Sequence, residues 1–293
     1  MKKSLFITLF LILLMENIMA KSDFIELYSA YTNGSRLIIN GRVIDIKDKK
    51  SKESKLYSAF FNNEKKGARV YLVVGQEHFS LKSDDEAYFR FDIRLKNRLK
   101  RGKSISLQSK DRGSLEKIYP FFPTLSQQIG VISDFDDTVI ISDVTSKVKL
   151  LYNTFFKNYK ERTLVFDVAR NIKNILKNNH LNKDIALFFI SGSPHQFNNN
   201  INNFLDYHAF QKRTVLTKKI HGQNSASLHA TVSYKYDKIV RLIDMYPQVT
   251  WVLFGDSGEK DTQIYKKIRN EYPQKIRAVY IRDVERKIVE EVE

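Results

Sequence analysis

The chain of 293 residues has no cysteine. Disulfides and thiolate metal sites are therefore excluded, and so is lipoprotein processing near Ala20. An oxidising compartment is not excluded; stability there would come from packing. Internal repeats and low-complexity tracts are also missing, apart from a local bias at Asn198-Asn199-Asn200 and Asn202-Asn203. Negative charge is in deficit, with 33 Asp and Glu against 49 Lys and Arg, a formal net charge of +16. Such a chain attracts nucleic acid, anionic membrane surfaces or phosphorylated substrates. The cations are dispersed, and the densest stretch, Arg94 to Lys103, reads as a solvated strand end and turn. No nucleic-acid motif and no basic-aromatic patch accompanies the charge, so no nucleic-acid partner is expected.

Residues 1–20 have the pattern of a secretory signal peptide: Lys2 and Lys3, an apolar stretch from Leu5 to Leu14, and small Ala20 before the cut. That stretch is short of the roughly 20 residues of a membrane span. The expected protein is exported, periplasmic or secreted; the alternative is an uncleaved N-terminal anchor. Residues 21–125 read as a small β-sandwich-like domain. Candidate strands are Arg36–Ile46, Ala68–Val74, Phe79–Leu81, Ala87–Leu95 and Ser104–Gln108, with a charged loop over Lys47–Lys55 and a closing segment, Tyr119–Pro123. Nothing in this domain has catalytic spacing, and His78 reads as a surface or edge residue.

Residues 126–293 change to strand-then-helix alternation. Apolar runs end at Ile132, Ile190 and Phe254, with a last strand over Ile276–Ile281. Helical spacing recurs over Thr145–Lys157, Phe166–Asn178, Phe197–Leu205, Lys235–Tyr246 and Ile264–Tyr272. This rhythm predicts an α/β domain with a mostly parallel sheet covered by helices. The first apolar run ends in Asp134-Phe135-Asp136-Asp137-Thr138 and resumes as Val139-Ile140-Ile141. The Asp-x-Asp-x-Thr spacing resembles the first motif of haloacid-dehalogenase-type phosphatases. The other buried runs end in Ser191-Gly192 and in Asp256 with Asp261. In a parallel sheet these carboxyl ends share one edge, so the groups converge.

The parts suit phosphoryl transfer. Asp134 is the candidate nucleophile, and Asp136 the candidate acid and base. Mg²⁺ would offset repulsion between carboxylate and phosphate. Its candidate ligands are Asp134, Asp256 and Asp136 through its backbone carbonyl, with Asp261 either supporting or binding directly. Ser191, Gly192, Thr138 and Lys235 are assigned to phosphate. Lys235, expected to open its helix, is the choice for charge neutralisation, with Lys238 second. Asp137 and Asp143 read as solvated or capping residues. His195, His208, His221 and His229 have no metal-site spacing.

Residues from about Gly130 to Arg282 resemble the catalytic domain of the actin-patch-type, Mg²⁺-dependent phosphatidate phosphatases, a branch of the haloacid dehalogenase (HAD) superfamily. The resemblance rests on Val131–Val139, Asn153-Thr154-Phe155, Ser191-Gly192-Ser193-Pro194 with Gln196, Lys235 with Ile239, and Gly255–Asp261 with Ile264-Tyr265. Gly41-Arg42-Val43 and Tyr88-Phe89-Arg90 extend it to the N-terminal module of bacterial members. It implies a HAD-like, Rossmannoid sheet with helices on both faces, a minimal cap, and Mg²⁺-dependent hydrolysis of phosphatidate at a membrane surface. His195 departs from it, standing where the family commonly has tryptophan. That departure bears on the pocket's shape, not on the phosphoryl chemistry. Two other readings stand: an exported phosphatase for soluble phosphomonoesters, and a non-catalytic binding protein on a degenerate HAD fold.

Overall fold

A computed structural model describes residues 23–45, 63–109, 115–141, 159–179, 184–210, 212–219, 228–258 and 260–292. The signal-peptide segment, the loop at 47–55, the helix expected over 145–157, Asn153–Phe155, Asp143, His221, Glu259 and the side chain of His229 lie outside the described residues. Among the described residues no helix is long and apolar enough to cross a membrane. The chain forms two compact units that interleave along the sequence. One comprises the described residues of Met1–Glu26, Gly41–Phe89 and Ile105–Ile118; the other comprises those of Leu27–Asn40, Arg90–Ser104 and Tyr119–Glu293.

The first unit is all β. Its strands β4 (Arg69–Val74), β5 (Glu77–Lys82), β7 (Ile105–Ser109) and β8 (Glu116–Ile118) form an antiparallel sheet in the order β5-β4-β7-β8. Period-two alternation is the cause: Val70, Leu72 and Val74 of β4 are buried while Arg69 and Tyr71 are exposed. His78 is exposed on β5. Four further strands, β1 (Asp23–Thr32), β2 (Arg36–Asp45), β3 (Asn63–Glu64) and β6 (Tyr88–Arg94), make a second sheet around β2; the residues of β1, β2 and β6 are divided between the two units. Gly41 permits a close approach there, because a Cβ would lie 2.6 Å from the Phe89 ring and 2.8 Å from the Glu26 carbonyl.

The second unit is α/β. Its sheet contains β9 (Gln128–Asp134), β10 (Leu187–Pro194), β11 (Thr214–Lys218), β12 (Val249–Asp256), β13 (Ile276–Asp283) and β14 (Ile288–Glu291). The order is β11-β10-β9-β12-β13-β14, parallel throughout except for antiparallel β14 at one edge. Helices α1 (Phe166–Asn178), α2 (Asn198–Tyr207), α3 (Leu228–Met245) and α4 (Asp261–Glu271) pack on it. Phe188 centres the core, with ring centroids 5.7 Å from Tyr31, 5.5 Å from Phe121, 5.7 Å from Tyr246 and 6.0 Å from Trp251. Tyr31 and Ile38 belong to this core although they precede β9 by about a hundred residues in sequence. Asn179 closes α1: its side chain bonds both the amide and carbonyl of Ile129 and the Ile175 carbonyl.

Three expectations need correction. Lys235 does not open its helix; α3 begins at Leu228, in a stretch of mixed polar and β-branched residues that carries no apolar stripe. Val139–Ile141 is not a resumed strand. The chain turns after Asp136, with Asp137 at φ 55°, and Ile140 makes only isolated bridges to Asp136 and Leu164. Strands β1, β11 and β14 had no sequence counterpart, β11 being only five residues long. At Gly130, on β9, a Cβ would lie 2.6 Å from Val249 Cγ1 and 2.7 Å from Trp251 Cζ3. Gly130→Ala is therefore expected to cost about 1–3 kcal/mol by overpacking. A thermal melt should show a lowered Tm; an unchanged Tm would show that Trp251 and Val249 yield freely.

Candidate active site

Strand register brings the acidic groups together. Asp134 pairs with Ile190 on β10, and Ser133 with Phe254 on β12. Ser191 therefore follows one residue past Asp134's level, and Gly255 lies on it. All three strands are parallel, so Asp134, Ser191 and Asp256 emerge at one carboxyl edge, where open α/β sheets place their ligands. Gly255 is required there, because a Cβ would lie 2.7 Å from both Asp261 Oδ2 and Tyr265 Cε2.

The buried Lys235 side chain, 1% exposed, reaches this edge from α3. Its Nζ lies 2.8 Å from Asp134 Oδ1 and 2.6 Å from Asp261 Oδ1. Thr138 Oγ1 donates to Asp134 Oδ2 at 3.2 Å, and the Asp256 amide to Asp261 Oδ2 at 3.4 Å. The Gly258 amide donates to Asp256 Oδ1 at 2.7 Å. Asp261 also sits in the first turn of α4, where the helix dipole favours a carboxylate. Tyr265 walls the site and donates to the Phe254 carbonyl; burial pushes its hydroxyl pKa well above the usual value, with Asp261 adding to the effect.

Asp134, Asp256 and Asp261 are buried, and each offers a carboxylate oxygen within 4.8 Å of the others. Among the described residues, these three buried carboxylates gather around the Lys235 ammonium. Hard oxygen donors gathered this closely fit a divalent cation. The Asp136 side chain is not in this group. Its Oδ2 accepts from Ser191 Oγ at 2.8 Å and Ser193 Oγ at 3.0 Å. Lys238 stands apart, with its ammonium over the Tyr234 ring at 5.2 Å from the centroid. The edge thus holds Asp134, Asp136, Thr138, Ser191, Gly192, Lys235, Asp256 and Asp261.

Three residues outside the expected set shape the site. Ser193 shares Asp136 with Ser191 and was visible in the same short motif. Arg282, buried on β13 opposite Asp256, donates to the Asp137 carbonyl and so ties down the acidic turn. Only the β12–β13 register places it there. Arg162 lies within electrostatic reach of Asp136 and Asp137; burial, the larger effect, lowers its pKa and these carboxylates oppose the shift. His195 follows the serine loop. It stacks on Tyr28 with centroids 4.7 Å apart, and its Nδ1 lies 2.7 Å from Thr217 Oγ1. Burial, and then Lys238 and Lys219, push its pKa down to about 3, so the ring is neutral. His208 packs against Phe204 and Tyr207.

Gly255→Ala tests whether the carboxylate geometry depends on this close approach. The added methyl group should displace Asp261, lower Tm by overpacking and reduce any activity of the site at least about tenfold, as expected for misplaced catalytic groups. A variant with unchanged Tm and activity would show that Asp261 has room to move without consequence.

The family described as phosphatidate phosphatase APP1, catalytic domain, matches residues 129–283. The phosphatidate phosphatase APP1 of Saccharomyces cerevisiae is 26% identical over 183 residues, covering 61% of this chain and 30% of that protein. The uncharacterized protein C29B5.04c of Schizosaccharomyces pombe is 26% identical over 241 residues, covering 78% of this chain and 37% of that protein. The chain thus spans about a third of the length of these curated relatives. A chain from the solved Pnkp1/Rnl/Hen1 complex aligns at a TM-score of 0.37 and 15% identity, covering 59% of this chain and 55% of that one, too distant to carry an argument. The family's match runs from the strand bearing Asp134 to the strand bearing Arg282, and the chain belongs to the family of the phosphatidate phosphatase APP1 catalytic domain.

Proposed function

We propose that the chain is a Mg²⁺-dependent phosphatase with a HAD-type catalytic unit, hydrolysing a phosphomonoester through an aspartyl-phosphate. The observation that carries the reading is Lys235 buried between Asp134 and Asp261 at the carboxyl edge of a parallel sheet. Membership in a phosphatase catalytic-domain family supports it, as does Asp134's place on β9, inside that sheet.

In this reading an Asp134 oxygen attacks phosphorus while the phosphorus–ester oxygen bond breaks. Asp136 gives its proton to the departing alkoxide. It then takes a proton from the water that displaces Asp134 and releases phosphate. Thr138 and Lys235 orient the nucleophile. Ser193 keeps Asp136 in place when the Ser191 hydroxyl turns to a phosphate oxygen, with the Gly192 amide beside it. Asp134, Asp256 and Asp261, with the Asp136 carbonyl, would hold the ion. Bound Mg²⁺ supplies charge neutralisation for an anionic nucleophile meeting an anionic substrate.

For the substrate, family membership and the basic charge favour a phosphate ester presented by lipid at an anionic membrane surface, phosphatidate first. Asp134→Asn should abolish turnover in a folded protein, and chelation should abolish it in the unmodified chain. Asp256→Asn should raise the Mg²⁺ requirement, with part of the rate recovered by excess metal. Full activity in Asp134→Asn would sink the mechanism. A panel of phosphatidate in mixed micelles, sugar phosphates and nucleotides decides the substrate. Hydrolysis confined to soluble esters would remove the lipid assignment, and no hydrolysis of any ester would favour the non-catalytic binding reading.

A further inference from the structure

Helix α3 carries a row of cations beyond the catalytic lysine. Lys235, Lys238 and Arg241 follow at three-residue intervals, each about 4.5 Å further along the axis and turned about 60° round it, so the row winds from the buried side toward solvent. Arg241 Nη1 donates to Asp92 Oδ2 at 3.0 Å. The same carboxylate takes Arg36 Nε at 2.7 Å and Nη2 at 3.1 Å, and Arg90 Nη2 at 3.0 Å. Arg90 Nη1 also donates to Asn40 Oδ1 at 3.1 Å. One carboxylate thus serves three guanidiniums.

The donor count does not close. Each guanidinium has about five N–H donors. Arg36 and Arg90 spend two each and Arg241 one on side-chain acceptors. Lys238 stands within electrostatic reach of Arg90 and Asp92, and no carboxylate among the described residues comes within ion-pair distance of it. Burial and then Arg90 press its pKa down to about 8, against the opposing pull of Asp92 and Asp237. Among the described residues the other carboxylates acting on these cations are Asp237 and Asp244, exposed like Asp92. Among the described residues the cluster holds four cations, Arg36, Arg90, Lys238 and Arg241, against three carboxylates, and the arginines keep N–H donors open to solvent, the arrangement an oxyanion needs.

We propose that Arg36, Arg90, Lys238 and Arg241 form a second phosphate-binding subsite, one to two helical turns from Lys235, for a phosphate group other than the one hydrolysed. This rests on the reading of Lys235 as part of the hydrolytic site. The shared chemistry is a phosphate oxyanion. It is carried either by a neighbouring lipid headgroup or by a second phosphate on the substrate molecule. Asp92 sets the affinity: its negative charge holds the arginines in place and competes with the ligand.

The experiment has two arms and uses the full chain. In the first, the Asp134→Asn protein is co-sedimented with phosphatidylcholine vesicles, with and without phosphatidylglycerol. Lys238→Met and Arg241→Gln should each weaken binding to the anionic vesicles about fivefold, and Asp92→Asn should strengthen it. The same changes made by charge substitutions at exposed residues remote from this cluster would mark a general effect of net charge and overturn the subsite. In the second, KM is compared for a hexose monophosphate and the matching bisphosphate. If the second phosphate belongs to the substrate, the bisphosphate has the lower KM. That advantage is lost in Lys238→Met and Arg241→Gln with kcat unchanged. Either pattern supports the subsite and identifies the source of its phosphate. Vesicle binding and KM unmoved by all three substitutions, in variants with native melting curves, overturn it. Vesicle binding that these three substitutions change and remote charge substitutions do not, without hydrolysis of any ester, supports the subsite while removing the phosphatase reading.

Discussion

The candidate site depends on one buried ammonium. Lys235 is enclosed between Asp134 and Asp261, and neither carboxylate would tolerate burial without it. Desolvating carboxylates costs several kcal/mol per ion, which the lysine and the amide and hydroxyl donors around them offset. Each partner is delivered by a different element: Asp134 by the end of β9, Asp261 by the first turn of α4, Lys235 by the middle of α3. The ion pair therefore constrains how α3 and α4 sit against the sheet. Glycine at 255 completes the constraint, since Asp261 and Tyr265 fill the space a side chain would need.

The acidic turn is held from several sides. Thr138 fixes one Asp134 oxygen, Ser191 and Ser193 fix Asp136, and Arg282 fixes the Asp137 carbonyl. The two aspartates of one short motif are thus given different surroundings. Asp134 lies among carboxylates and an ammonium; Asp136 lies among neutral hydroxyl donors. Different environments are how two carboxylates acquire different tasks.

Helix α3 faces two kinds of charge along its length. At Lys235 the surroundings are the buried carboxylates Asp134 and Asp261. One to two turns on, at Lys238 and Arg241, cations outnumber carboxylates among the described residues, the basis of the proposed anion subsite. The neutral His195 stacked on Tyr28 stands close to Lys238, where the ring adds no further repulsion.

Much of this was legible in the chain itself. Short β-branched runs ending in Asp134, Ser191 and Asp256 announce buried parallel strands, because only a strand covered on both faces is apolar throughout. The alternation in Arg69–Val74 and the stripe from Ile239 to Tyr246 are equally local signals. Those patterns determined the element types, the parallel sheet and the carboxylates at its edge. Tertiary structure alone decided the rest. Lys235 had the look of a helix-start lysine, since the stretch from Leu228 has no apolar stripe to mark where α3 begins. Arg282 reaches the acidic turn through strand register, and Asp92 gathers Arg36, Arg90 and Arg241 from two strands and a helix. Charge pairing between residues far apart in sequence leaves no periodicity to read, because it depends on packing geometry rather than on spacing along the chain.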